Sequence, residues 1–320
     1  MSACELCPRR CGANRFGEDP KPGWCGAANG PRVFRWGPHF GEEPPLCGER
    51  GSGCIFFSRC TMRCFYCQNS PWSWGGEGRD MTVAELAGIM RDLACRDGAE
   101  NWNLVSPTPY LPYIREAARS LASEGVSLPF VWNSSGYERV ETLDEYSDLC
   151  DWALVDLRYS RNETAEMASA TRGYVEASRA AVKWAWEKKG RRKGEGRRQK
   201  EEGRSVVGRS AVGRGAVGGL IVRILVLPGH ADEAIENLAW IATELSCDVP
   251  VSIMSQYTPA YRARRIPPFD RGVTEEEYES VTEAAADFGF GNGWTQGFGA
   301  ADPKLAFLGE NMSAEHGTVV

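Results

Sequence analysis

The sequence predicts an α/β protein of strand–helix pairs preceded by a cysteine-rich segment. Three observations lead there. Six short apolar runs lie between residues 54 and 255, helical patterns separate them, and residues 1–50 carry Cys, Pro and Gly without a period. The runs are uniformly apolar rather than alternating, which suits parallel strands covered on both faces. Strands alternating with helices imply right-handed crossovers, and both a barrel and a doubly wound sheet satisfy that pattern.

The elements follow in order. "CIFFS" (54–58) is the first strand. Thr82 and Glu85 form a capping box ahead of Leu86, Ile89, Met90 and Leu93, which share one helix face. "NWNLV" (101–105) is the next strand, and the helix after it covers 109–123 and closes on Gly125 as its C′ residue. "LPFVW" (128–132) leads through a helix over 139–149 to "WALVDL" (152–157). A helix over 165–186 precedes "GLIVRILVL" (219–227), and one over 232–245 precedes "PVSIMS" (250–255). A second capping box, Thr274 with Glu277, starts a helix running to about Phe288. The glycine-rich "FGFGNGWTQGF" beyond it does not fit the dinucleotide fingerprint.

A chain of 320 residues that is 42% hydrophobic can bury one sizeable core. Its formal charge of -6 argues against a nucleic-acid binder. The start lacks a secretory h-region, and the most apolar run is too short to span a bilayer and contains Arg223. A cytoplasmic protein without a membrane partner is expected. Residues 187–219 break the rhythm, with eleven Lys or Arg against four Glu and a repeated pentad, "GRSVV", "GRSAV", "GRGAV". Such a segment has too little apolar surface to offset its ordering entropy, so it reads as a disordered basic insert. The expected organisation is a metal-binding module at 1–50, barrel or sheet at 51–186 and 220–300, the insert between them, and a tail at 301–320.

Twelve cysteines in a reducing compartment point to metal ligation rather than disulfides. Cys60, Cys64 and Cys67 have the spacing C-x3-C-x2-C, which lets three thiolates converge on one soft centre. Three ligands leave a position open for chemistry, although Cys47 or Cys54 could close a structural site. Cys4, Cys7, Cys11 and Cys25 are spaced C-x2-C-x3-C-x13-C and fill a tetrahedral shell, as in a closed zinc site or a second iron–sulfur cluster. Cys95, Cys150 and Cys247 read as buried apolar residues. With only three histidines, a mechanism built on a histidine base has little support.

The triplet with Tyr66 before its last cysteine, just after an apolar strand, resembles the radical S-adenosylmethionine (radical SAM) superfamily. The segments "CELCPRRCGANR", "EEPPLCGERGSGCIFFSRCTMRCFYCQN", "LVSPTPY", "WNSSGYE", "VDLRYS", "RILVLPG" and "MSQYTP" resemble, in that order, the branch related to pyruvate formate-lyase activating enzyme. The resemblance implies a partial (β/α)6 barrel with its site at the C-terminal strand ends. It implies a [4Fe–4S] cluster on Cys60, Cys64 and Cys67 whose fourth iron binds S-adenosylmethionine. One electron would then yield methionine and a 5′-deoxyadenosyl radical. It further implies a glycyl-radical enzyme as protein substrate and a flavodoxin- or ferredoxin-type electron donor. A small-molecule radical enzyme, or a non-catalytic iron–sulfur or zinc interaction protein, is the alternative reading.

Residue roles come with the resemblance. Tyr66 would lie beside the adenine. Where activating enzymes place Gly-Gly-Glu-Pro for the methionine amino group, this chain has Ser106, Pro107 and Thr108, whose hydroxyls and carbonyls can still accept from an ammonium. Asn133, Ser134 and Ser135 would hold the ribose or the methionine carboxylate. Asp156 and Arg158 replace an Asp-x-Lys pair, with arginine adding a two-pronged carboxylate grip. Arg223, inside an apolar strand, needs an anionic partner and is expected to face the cofactor.

Overall fold

The computed structural model describes residues 3–190 and 218–298. Most of the basic insert, 191–217, and the tail from 299 onward lie outside the described residues. The elements are β1 (Arg32–His39), α1 (Pro44–Cys47), β2 (Ser52–Phe57), α2 (Ser70–Ser73), β3 (Arg79–Asp80), α3 (Val83–Cys95), β4 (Trp102–Val105), α4 (Leu111–Ser123) and β5 (Phe130–Ser134). They continue with α5 (Val140–Glu145), β6 (Trp152–Asp156), α6 (Asn162–Ser169), α7 (Tyr174–Ala185), β7 (Gly219–Leu225), α8 (Ala231–Glu244), β8 (Val251–Met254), α9 (Glu275–Asp287) and β9 (Gly293–Thr295).

One sheet has the order β3-β1-β2-β4-β5-β6-β7-β8-β9. From β2 to β9 all neighbours are parallel, while β1 is antiparallel to β2 and β3. A doubly wound sheet reverses its strand order at a switch point. Here the parallel strands never reverse, so the order is that of an open, barrel-like sheet. Both capping boxes form, at Thr82–Glu85 and Thr274–Glu277.

The outer strand face packs Trp102, Leu104, Val155, Val222 and Ile253 against Leu86, Met90, Ile114, Leu238 and Val281 of the helices, all within one buried cluster. Fully burying each aliphatic side chain of this kind contributes about 1.5–3 kcal/mol. The inner face corrects the reading of uniformly apolar strands. It carries Asn103, Asn133, Asp156 and Ser252, buried and polar, beside a small apolar group of Leu46, Val131, Leu154 and Ile221.

Three further readings change. Residues 32–39, taken as part of an irregular module, form β1 of the main sheet. Gly37 and Pro38 obscure that strand. Pro38 is accommodated because β3 pairs only with Arg32 and Val33, leaving the rest of that edge free. The single helix over 165–186 is two helices, broken where Ala170 (φ 49°) and Gly173 (φ 62°) take left-handed backbone. Strand 128–132 is shifted two residues toward the C-terminus, since β5 ends at Ser134.

Candidate metal and cofactor site

The cysteine loop leaves the C-terminal end of β2 through Arg59, a non-glycine residue at φ 74°. Its backbone is held by the open end of α6: Arg63 N–H donates to the Ser169 carbonyl and Phe65 N–H to the Ala168 carbonyl, both at 3.0 Å. A helix C-terminus has carbonyls without intrahelical partners, so the loop satisfies them while fixing its own course. Each of the three sulfurs has a polar neighbour. Met62 N–H donates to Cys60 Sγ (3.4 Å), Ser169 Oγ to Cys64 Sγ (3.0 Å), and Ser73 Oγ lies 3.2 Å from Cys67 Sγ. Such contacts orient ligand sulfurs and tune what they bind. Burial pushes the Cys60 thiol up to about 12 and the Cys67 thiol up to about 11, with Cys64 adding to both and Arg158 opposing both. Among the described residues no three His, Cys, Asp or Glu side chains stand at the spacing of a single metal ion. A four-iron cube spans more than one ion and needs wider-set thiolates.

Beside the loop, Cys60, Thr61, Ser106, Thr108, Pro109, Ser134, Ser135 and Glu138 line one cavity. The sequence-predicted Ser106, Thr108 and Ser135 are thus brought to the first cysteine. Ser106 has φ 58°, a conformation a non-glycine side chain adopts at a cost of roughly 1–3 kcal/mol and one that clusters at functional sites. The turn after β5 requires Gly136 (φ 81°), because a Cβ there would stand 2.5 Å from the Asp156 carbonyl. That turn carries Glu138 back to the cavity.

Glu138 is the residue that sequence reasoning missed. It lies among Arg139 and Glu141, which look like ordinary surface charges, and only its burial separates it from them. Thr108 Oγ1 and Ser134 Oγ both donate to Glu138 Oε1 at 2.6 Å, while Oε2 has no hydrogen-bond partner. Burial pushes its carboxyl up to about 7, against the lowering effect of those hydroxyls. An acid raised in this way contributes stability below its unfolded value of 4.5 that is lost as pH rises through about 7. Glu138→Gln is therefore expected to match wild-type stability near pH 4.5 and to exceed it by up to about 3 kcal/mol at pH 8. Denaturant titrations at the two pH values check this, and a difference independent of pH would refute it.

Deeper in the sheet the remaining predicted residues form a single network. Arg223 donates through Nε to Asp156 Oδ1 (2.7 Å), through Nη2 to Asn133 Oδ1 (2.7 Å) and through Nη1 to Glu42 Oε2 (3.4 Å). Arg158 Nη2 donates to Asp156 Oδ2 (2.6 Å), and its Nη1 reaches Cys64 Sγ at 3.9 Å. Burial pushes the Asp156 carboxyl up, but Arg223 and Arg158 more than offset it and hold it below the usual range. Arg223 has its anionic partners, yet none of Arg223, Asp156, Arg158 or Asn133 lines the cavity at Cys60. Tyr66 is buried, stacked on Phe269 with centroids 5.7 Å apart, and its hydroxyl bonds to that of Tyr159. Cys47 and Cys54 turn away from the triplet: Cys47 Sγ donates to the Glu42 carbonyl (3.2 Å), and Cys54 Sγ lies 3.8 Å from Glu42 Oε1.

A loop of three sulfurs with hydrogen-bonded walls, opening on hydroxyls and an unpartnered carboxylate oxygen, fits a cluster and a cationic ligand. The radical SAM superfamily model matches residues 54–194. Residues 54–194 are thus similar to the radical SAM superfamily. The chain is similar to the uncharacterized protein MJ0674 of Methanocaldococcus jannaschii, 26% identical over 294 residues that take in 89% of this chain and 75% of that protein. It is also similar to Streptococcus suis SuiB (12% identity, TM-score 0.45), over 74% of this chain and 47% of SuiB. SuiB bound to S-adenosylmethionine gives a TM-score of 0.44 at 12% identity, over 74% of this chain and 48% of SuiB. The chain spans about half the length of the SuiB structures it matches.

Next to the matched segment, the N-terminal Cys4, Cys7, Cys11 and Cys25 line a second cavity together with Arg9, Arg15 and Trp24. A Cβ on Gly23 would stand 3.5 Å from the sulfurs of both Cys11 and Cys25. Of the cysteines expected to be buried and apolar, Cys150 is buried and Cys247 half-buried. Cys95 is exposed, because it falls on the outer side of the last turn of α3. No helix among the described residues is long and apolar enough to cross a membrane.

Proposed function

We propose that this chain is a radical SAM enzyme. Cys60, Cys64 and Cys67 would hold a [4Fe–4S] cluster, and the cavity beside Cys60 would receive S-adenosylmethionine. The observation that carries this is the adjacency of the cysteine triplet, inside a matched radical SAM segment, to a polar cavity at the C-terminal strand ends. When bound, the cluster and cofactor supply an electron and a sulfonium whose cleavage gives methionine and a 5′-deoxyadenosyl radical.

The chain's own residues bind and orient. The unpartnered Oε2 of Glu138, with Ser106 and Thr108, suits the ammonium of the methionine moiety and replaces the missing Gly-Gly-Glu-Pro carboxylate. Ser135 and Asn133 would hold the ribose or methionine carboxylate, and Asp156 with Arg158 would position the carboxylate end. Arg223 would fix Asn133 and Asp156 from behind, and Tyr66 would bound the adenine. The protein is read as acting on the backbone glycine of a glycyl-radical enzyme, with a flavodoxin- or ferredoxin-type donor; the support is the ordered set of segments resembling the activating-enzyme branch. A second iron–sulfur cluster or zinc would occupy the N-terminal cysteines.

Anaerobically purified protein, reduced and given S-adenosylmethionine, should release 5′-deoxyadenosine and methionine in equal amounts; no release would refute the enzyme reading. With a glycyl-radical enzyme present, a glycine-centred doublet should appear in its electron paramagnetic resonance spectrum. Cofactor cleavage without that doublet would leave the enzyme reading and remove the glycyl-radical one.

A further inference from the structure

Arg15 is fully buried, and no carboxylate pairs with it among the described residues. Its Nη1 donates to Cys4 Sγ (3.6 Å), its Nη2 to the carbonyls of Pro109 (2.7 Å) and Ala28 (3.1 Å), and its Nε has no partner. A buried guanidinium is costly unless an anion compensates it. Its neighbours are the Cys4 sulfur by contact and the rings of Phe16 and Tyr110, 5.0 and 5.9 Å from the guanidinium carbon, none of them a carboxylate. Neutral thiols cannot balance that charge. Four thiolates on a divalent ion or on a four-iron core outweigh the metal's charge, so the assembled centre is an anion.

The second observation is where this centre lies. Thr61, Thr108 and Pro109 line both the N-terminal cysteine cavity and the cavity at Cys60. Two arginines of the N-terminal segment grip that shared wall: Arg15 holds the Pro109 carbonyl, and Arg9 Nε donates to the Thr61 carbonyl at 2.6 Å. Arg9 is itself stacked on Trp24, 3.2 Å from the ring centroid.

We propose that Cys4, Cys7, Cys11 and Cys25 hold an anionic metal–thiolate centre with Arg15 as its buried counter-ion, and that filling this centre sets the wall it shares with the cofactor pocket. The second half rests on the radical SAM reading, and the first does not. Metal content is therefore measured first in a Cys60/Cys64/Cys67→Ala protein, either loaded with zinc or reconstituted anaerobically with iron and sulfide. About four irons with sulfide absorption are expected per chain, since the four sulfurs do not stand at the spacing of a single ion. The metal that survives gel filtration identifies which centre it is. Adding Cys7→Ser and Cys11→Ser should remove it, and retention would overturn the site.

Arg15→Met should weaken metal retention against a competing chelator by about 10-fold or more, while Arg15→Lys keeps most of it. Equal retention in a folded Arg15→Met protein would overturn the counter-ion role. If Arg15→Met does not fold, metal loss from folded Arg15→Lys as complete as in the Cys7/Cys11 variant would do the same. Coupling is read by equilibrium dialysis of S-adenosylmethionine with the full chain, its three loop cysteines intact. Cys7→Ser/Cys11→Ser should bind at least about 5-fold more weakly than wild type. Unchanged binding would overturn the coupling, whereas no binding by wild type would overturn the radical SAM reading and leave the metal result standing.

Discussion

Replacing any one of Cys60, Cys64 or Cys67 by alanine is expected to bring 5′-deoxyadenosine release down to background. The three sulfurs are the only cysteines on the loop that faces the cavity, and each is already oriented by its own polar neighbour. A remaining pair would leave two irons of a cube without protein ligands. Cys47→Ala and Cys54→Ala serve as controls, because those sulfurs face Glu42 and should leave cleavage near wild type. Full activity in any triplet variant, or loss in both controls, would refute the assignment. Anaerobic chromatography of the released nucleoside is the measurement.

The largest effect on stability is expected from Asp156→Asn. Asp156 is the buried carboxylate between two half-buried guanidiniums, bonded to Arg223 on one oxygen and to Arg158 on the other. Removing one partner of a buried ion pair costs about 3–5 kcal/mol, since the other charge remains desolvated. For a chain of this size that is a fall in melting temperature of about 5–8 °C. Arg158→Met should cost less, because Asp156 keeps Arg223 and Arg223 keeps Glu42. Urea titrations rank the two, and a loss below about 1 kcal/mol for Asp156→Asn would contradict the network as described.

The parallel strands and most helices were legible in the sequence because each carries a local signature. The apolar runs at 54–58 and 152–157 become β2 and β6, and both capping boxes form where Thr and Glu are spaced by three. What stayed hidden depends on partners distant in the chain. β1 contains Gly37 and Pro38 and is a strand because β2 lies beside it. The break at Ala170 follows from a turn whose carbonyls meet the cysteine loop, some hundred residues earlier in the chain. The site divides in the same way. The cysteine spacing announces the triplet, and Ser106, Thr108 and Ser135 reach the cavity at Cys60. Glu138 is invisible in sequence because a surface glutamate and a buried one are spelled alike. The role of Arg15 was equally out of reach, since it depends on which carboxylates do not come near it.

The open end of α6 has a consequence for how the protein matures. Carbonyls 168 to 170 are taken up by Phe65 N–H, Arg63 N–H and the Arg9 guanidinium, so the cysteine loop is moulded by the chain itself. A cluster bound on the proposed triplet would meet a loop already ordered by these backbone bonds, and its insertion would not have to organise the backbone. Slow amide exchange at Arg63 and Phe65 in iron-free protein would be the visible trace of that head start.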